Sequence, residues 1–308
     1  PELAARAHVE NIDFIINKAL IDSKLSIDKL DGVAATAGPG LMVCLTVGLN
    51  IGKSIAAFAD KPFVAVNHLE GHALSPGLEN KIEFPYLLLL ISGGHSQYLI
   101  VKDINEYEQL GTTIDDALGE AFDKTAKMLD LGYPGGPNIE KFSKLGDKNF
   151  YKLPEPIINR AGCNLSFAGL KTAVLRESKN INGDLQLKYN LAASFQNTVN
   201  KILIKKTKEA MRQFRNKTAL KEKISFVVAG GVAANQSIRE SLTQVCEETN
   251  FKALFPNLKF CGDNAAMIAW AGIKRYKKKL TNKLDFVAKS RWPLDPNAKY
   301  LKGPGLKL

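Results

Sequence analysis

The chain has 308 residues, 45% hydrophobic and 24% charged, the make-up of an ordinary globular protein of about two domains. Lys and Arg number 42 against 31 Asp and Glu, a net charge of +11. That excess favours a polyanionic partner, nucleic acid first, against the plainer reading of a Lys-rich composition with no target. No run of about eighteen apolar residues occurs, which excludes a membrane-spanning helix. The four cysteines, Cys44, Cys163, Cys246 and Cys261, form no CxxC pair and read as reduced thiols of a cytoplasmic protein.

In chain order, Pro1 sits where the first turn of a helix favours proline, and apolar positions recur at helical spacing over 3–18. The chain does not begin with Met, and a segment upstream is expected to be missing. Residues 32–36 form a short apolar strand that runs into Ala37-Gly38-Pro39-Gly40, and a helix is expected over about 41–59. Gly48 and Gly52 lie one turn apart on it, where they allow tight packing on a sheet. Phe63 to Val66 is again an apolar strand, so the order is β-α-β and the sheet parallel.

Directly after that strand come His68 and His72, two of only four histidines. The i, i+4 spacing puts both imidazoles on one face of a helix. Two neutral imidazoles there can grip one transition metal, with a third ligand drawn from elsewhere and an open position left; surface or capping histidines are the plainer reading. Glu70 lies about 200° round the helix from His68, so it cannot serve as the base of a zinc-peptidase motif.

Tyr86 to Ile91 and 97–101 read as strands joined by Ser92-Gly93-Gly94-His95-Ser96, a hairpin turn whose N–H groups and hydroxyls also suit a phosphate. A third strand covers 106–113. A helix opens at Asp115, with Asp116, Glu120 and Asp123 on one face, either solvated or aimed into a cleft. Gly135-Gly136 between Pro134 and Pro137 reads as a rigid loop. A polar stretch follows to about 182, within which 163–172 is a loop entering a helix. The helix over 187–215 is basic in its second half, with Lys201, Lys205, Lys206, Lys208, Arg212 and Arg215. Strand 224–228 ends in Ala229-Gly230-Gly231 and a helix with Asn235 near its start, a nucleotide-type turn that is neither GxGxxG nor a P-loop. Asp263 either caps the last helix or supplies the missing oxygen ligand to the histidine pair. That helix ends in a cluster with Lys274, Arg275 and 277–279; like the basic half of 187–215, it reads first as a solvated face and second as a contact for a phosphate backbone.

Taken in order, NHLEGHA, SGGHS, DDALGEAFDK, YPGGP, NLSFAGLKTA, AGGVAAN and CGDNAAMIAWAG resemble the bacterial TsaD family, the tRNA N6-adenosine threonylcarbamoyltransferases once labelled O-sialoglycoprotein endopeptidases. The resemblance spans nearly the whole chain. It implies an α/β fold of the ASKHA (actin, hexokinase, Hsp70-like) type with two domains around a central cleft. These would be 1–84 with about 267–308, and 85–266. It implies transfer of threonylcarbamoyl from threonylcarbamoyl-adenylate to N6 of the adenosine beside the anticodon, in tRNAs reading ANN codons.

By position in the motifs, the resemblance makes His68, His72 and Asp263 ligands of one divalent metal, iron first and zinc second. It makes Ile91, Ser92, Gly93, Gly94 and His95 contacts of the adenylate's phosphate and acyl side. Asp123, Gly136, Glu140 and Asn235 would contact its adenosine. No catalytic group beyond the metal ligands is assigned. A TsaB-like protein and a TsaE-like ATPase are the implied helpers, in the cytoplasm. The family's N-terminal strand motif is not found before the first helix. The alternatives are a truncated, non-catalytic tRNA-binding member and, less well supported, a metallopeptidase.

Overall fold

The computed structural model describes residues 2–298; Pro1 and the 299–308 end of the expected first domain lie outside them. In chain order the elements are α1 (Glu2–Ser23), β1 (Val33–Gly38), α2 (Met42–Phe58), β2 (Phe63–Asn67), α3 (His68–Leu74), β3 (Tyr86–Ile91), β4 (Ser96–Asp103), β5 (Glu106–Thr112), α4 (Leu118–Met128), α5 (Gly135–Ser143), α6 (Ala168–Ser178), α7 (Leu185–Thr218), β6 (Ile224–Ala229), α8 (Gln236–Thr249), β7 (Phe251–Leu254) and α9 (Ala265–Lys277). None of these helices is long and apolar enough to cross a membrane. The chain divides into two compact units.

The first unit comprises residues up to Leu78, the turn Ile104–Glu106, and Asn264–Pro296. Its β1 and β2 pair in parallel, Val33 opposite Phe63 and Thr36 opposite Val66. Every residue of β2 is buried, as the apolar run demands of a parallel strand covered on both faces. Gly52 of α2 packs as expected, since a Cβ there would come within 2.9 Å of the Ala35 Cβ; at Gly48 nothing lies within 4 Å, so that glycine has no packing role. Helix α1 forms as its spacing predicts, but only Ala5 is buried on it. Leu3, Val9, Phe14, Ile15 and Ile21 are exposed.

The second unit, Glu79–Asp103 with Tyr107–Asp263 and 297–298, is built on a five-stranded sheet in the order β5-β4-β3-β6-β7. β3 is antiparallel to β4 and parallel to β6, and β6 is parallel to β7. β3 is a central strand, paired with β4 over 86–91 and with β6 over 87–90, and all six of its residues are buried, as a strand covered on both faces requires.

Two elements go beyond the sequence reading. Helix α5 occupies what reads as a rigid loop: Gly135, Gly136 and Pro137 are its first three residues, because proline is tolerated in a first turn whose N–H groups have no helical partner. Strand β7, only four residues, is too short to show a period; Asn250 in the left-handed conformation ends α8 and turns the chain into it.

Candidate active site

Asn67, the last residue of β2, accepts a hydrogen bond from the Leu69 N–H on its Oδ1 (2.9 Å) and so caps α3. Its Nδ2 donates to the Trp292 carbonyl (2.9 Å). The cap makes His68 the first helical residue, directly after a buried strand. His68 is half-buried and His72 buried. Their rings meet edge to face with centroids 4.8 Å apart.

Asp263 is the residue before Asn264, and Asn264, not Asp263, caps α9 by accepting from the Met267 N–H (2.8 Å). The capping role expected as one alternative for Asp263 is thus corrected. One ligand atom from each of His68, His72 and Asp263 lies within 4.8 Å of the others. Two bonds of about 2.1 Å to one ion put ligand atoms at most about 4.2 Å apart, so a small side-chain rotation closes the set. Two imidazoles and a carboxylate are also a donor set that suits zinc or iron. Glu70 faces elsewhere, as its spacing requires: its Oε2 accepts from Arg275 Nη1 (2.6 Å) and its Oε1 from the Asn105 N–H (3.0 Å).

Within the second unit, a cavity of about 300 Å³ is lined by Gly93, Asp123, Gly136, Glu140 and Asn235 among the expected contacts. Ile91, Ser92, Gly94 and His95 are not among its lining residues. Ile91 is fully buried in β3. The Ser92 Oγ accepts from the N–H groups of His95 (3.1 Å) and Gly94 (3.4 Å). The turn thus directs two of the N–H groups that suit a phosphate back onto itself. Phe122 and Gly119 of α4, with Pro134, Pro137 and Val232, complete much of the wall; their apolar or backbone character gave no signal of chemistry in the sequence.

Each polar wall group is also tied to the scaffold. Asp123 Oδ1 accepts from the Gly135 N–H (2.8 Å) at the start of α5. Glu140 Oε1 accepts from the Gln236 N–H (3.0 Å). Asn235 caps α8 by accepting from the Ile238 N–H, while its Nδ2 donates to the buried Gln196 Oε1 (2.8 Å). These bonds hold the side chains in place before any ligand arrives.

The expected face of three carboxylates does not exist. Helix α4 begins at Leu118, so Asp116 precedes it and accepts instead from Lys171 and Lys124. Burial pushes the Asp116 carboxyl up, but the Lys171 and Lys124 hydrogen bonds and charges outweigh it and hold it below the usual carboxylate range. The basic surfaces are also thinner than the sequence suggests. Lys206 is 2% exposed and donates to the carbonyls of Arg160 (2.7 Å) and Gly162 (3.0 Å). Lys208 pairs with Glu248, Arg212 with Glu209, and Arg275 is buried against Glu70.

The sequence profile of the family described as TsaD, tRNA N6-adenosine threonylcarbamoyltransferase, matches residues 1–270. The chain belongs to the TsaD family. A curated relative from Pelagibacter ubique (strain HTCC1062) is 59% identical over 308 residues, which is all of this chain and 86% of that protein. One from Sinorhizobium medicae (strain WSM419) is 48% identical over 307 residues, 99% of this chain and 85% of that protein. Both are named tRNA N6-adenosine threonylcarbamoyltransferase, and the chain is accordingly a transferase of tRNA modification. Among solved structures, HypF from T. kodakarensis matches with a TM-score of 0.63 at 15% identity, over 88% of this chain and 44% of that one. Full-length HypF in its phosphate- and nucleotide-bound form matches at 0.53 and 14%, over 78% and 38%. At such identity the likeness shows the fold alone, α/β of the ASKHA type.

Proposed function

We propose that this chain transfers the threonylcarbamoyl group of threonylcarbamoyl-adenylate to N6 of the adenosine beside the anticodon, in tRNAs reading ANN codons. The observation that carries the site reading is the convergence of His68, His72 and Asp263 from distant parts of the sequence. These three would hold one divalent ion, iron or zinc. Such an ion, when bound, supplies positive charge and open positions for a carbamoyl oxygen.

The cavity of the second unit suits the adenosine of the adenylate. Phe122 offers apolar surface, and the backbone at Gly93 and Gly136 lets a flat base approach closely. Asp123 and Glu140 present fixed acceptors that suit ribose hydroxyls. Ile91 to His95 form the strand end and turn beside which the phosphate and acyl side would lie. The +11 charge suits tRNA as the acceptor substrate; modification of tRNA fits the cytoplasm as the location. The exposed apolar residues of α1, with Met42, Val43 and Phe58 of α2, suit a TsaB-like partner; a TsaE-like ATPase is the second helper.

The test is a transfer assay with the chain, both helpers, ATP, threonylcarbamoyl-adenylate and unmodified tRNA, read by mass spectrometry of digested nucleosides. Threonylcarbamoyladenosine is expected, and His68→Ala is expected to lose both product and bound metal. A metal-free His68→Ala variant with full activity would refute the metal assignment.

A further inference from the structure

Helix α3 has seven residues, too few to hold a fixed orientation by itself. Its rotation about its own axis decides where His68 and His72 point, and that rotation is set by the opposite face. There Glu70, 1% exposed, binds Arg275, itself 7% exposed, at 2.6 Å. Asn105 closes the arrangement: its N–H donates to Glu70 Oε1 (3.0 Å), and its Oδ1 accepts from Arg275 Nη1 (3.1 Å). Next to Glu70, Gly71 lets the two helices touch, since a Cβ there would come within 2.9 Å of the Ile268 Cδ1.

Arg275 and Ile268 both belong to α9, and Asp263 lies one residue before the Asn264 cap of that same helix. One helix therefore carries the two imidazoles, and the other begins beside the carboxylate. The Glu70–Arg275 pair ties the first to the second. A buried ion pair of this kind contributes little net stability compared with apolar residues of similar volume. What it supplies is direction, because the charged partners tolerate only a narrow range of helix rotation and shift.

We propose that Glu70 and Arg275 are positioning residues for the ion held by His68, His72 and Asp263; the inference rests on the metal site proposed above. Neither side chain touches the ion. They set the distance and angle between the imidazole pair and the carboxylate.

The test titrates the full chain with Co²⁺ alone, followed by its visible absorption, with thermal unfolding of each apo-variant measured in parallel. Wild type is expected to bind one Co²⁺ per chain. The double variant Glu70→Met with Arg275→Met removes the pair without leaving an uncompensated charge. It is expected to lose about 10–100-fold in Co²⁺ affinity and to show altered band positions, with little change in melting temperature. Glu70→Gln keeps only one of the two acceptor oxygens and leaves the buried Arg275 charge uncompensated, so it is expected to lose affinity as well and, unlike the double variant, to lower the melting temperature. Should the double variant fail to fold, Arg275→Lys, which keeps the charge and shortens the reach, is expected to lose affinity several-fold. Wild-type affinity and spectrum in the double variant, or in Arg275→Lys if only that one folds, would overturn the positioning role alone. Wild type binding no Co²⁺, or His72→Ala binding it equally well, would overturn the metal site and the inference with it.

Discussion

The proposed function gives Asp123 two separable duties, and two substitutions distinguish them. Its Oδ1 accepts from the Gly135 N–H (2.8 Å), one of the orphan donors at the start of α5. The residue also lines the cavity, and the proposed function assigns its second oxygen to a ligand hydroxyl. Asp123→Asn keeps an oxygen for Gly135 but replaces the second acceptor by an amide donor. A hydrogen bond to a charged group is worth about 1.5–3 kcal/mol, so the affinity for adenosine monophosphate should fall roughly 10–150-fold with the melting temperature nearly unchanged. Asp123→Ala should lose the same affinity. It also orphans the Gly135 N–H, at a cost of about 1 kcal/mol, which lowers the melting temperature by roughly 2–4 °C for a unit of this size. Calorimetric titration with adenosine monophosphate and thermal unfolding read the two effects. Asp123→Asn binding within twofold of wild type would refute the ligand contact. An equal fall in melting temperature for both variants would refute the separation of roles.

Two further outcomes follow from local geometry. Gly230 has φ +96° and a Cβ there would press on the Ile91 carbonyl, whereas adjacent Gly231 has nothing within 4 Å. Urea unfolding should therefore show Gly230→Ala destabilised by roughly 2–4 kcal/mol, from left-handed strain plus overpacking, and Gly231→Ala by under about 1 kcal/mol; equal effects would contradict the close approach of β6 to β3. Asp116→Asn removes a carboxylate whose folded pKa is lowered, so its stabilising effect is present above the unfolded value, near 4, and is lost as pH falls through the folded one. The gap in unfolding free energy between wild type and variant, about 1 kcal/mol at pH 6, should narrow as the pH falls below about 4, and a gap that stays constant with pH would count against the Lys171 and Lys124 pairing.

Wherever the deciding interaction lies within a turn or two of chain, the residues themselves carried it. The unbroken apolar run of β3, the Ser92–His95 hairpin, the long period of α7 and the i, i+4 histidines are local patterns, and each appears at or near its expected bounds. The ordered motifs carried the family as well. Tertiary structure decided what depends on segments far apart in sequence. By its place before the helix Asp263 could cap α9, and the folded backbone gives the cap to Asn264 instead. Lys206 and Arg275 read as solvated charges, yet carbonyls of the 160–162 loop and the Glu70 carboxylate draw both into the interior. Asp116 reads as part of a helical face until Lys171, from α6, claims it. Helix α5 begins on glycines and a proline because α4 lies beside it, with Asp123 bonding its first N–H. A side chain's own type sets what it can bond, but the return of the chain from tens or hundreds of residues away sets what it meets, and desolvation then makes that meeting obligatory.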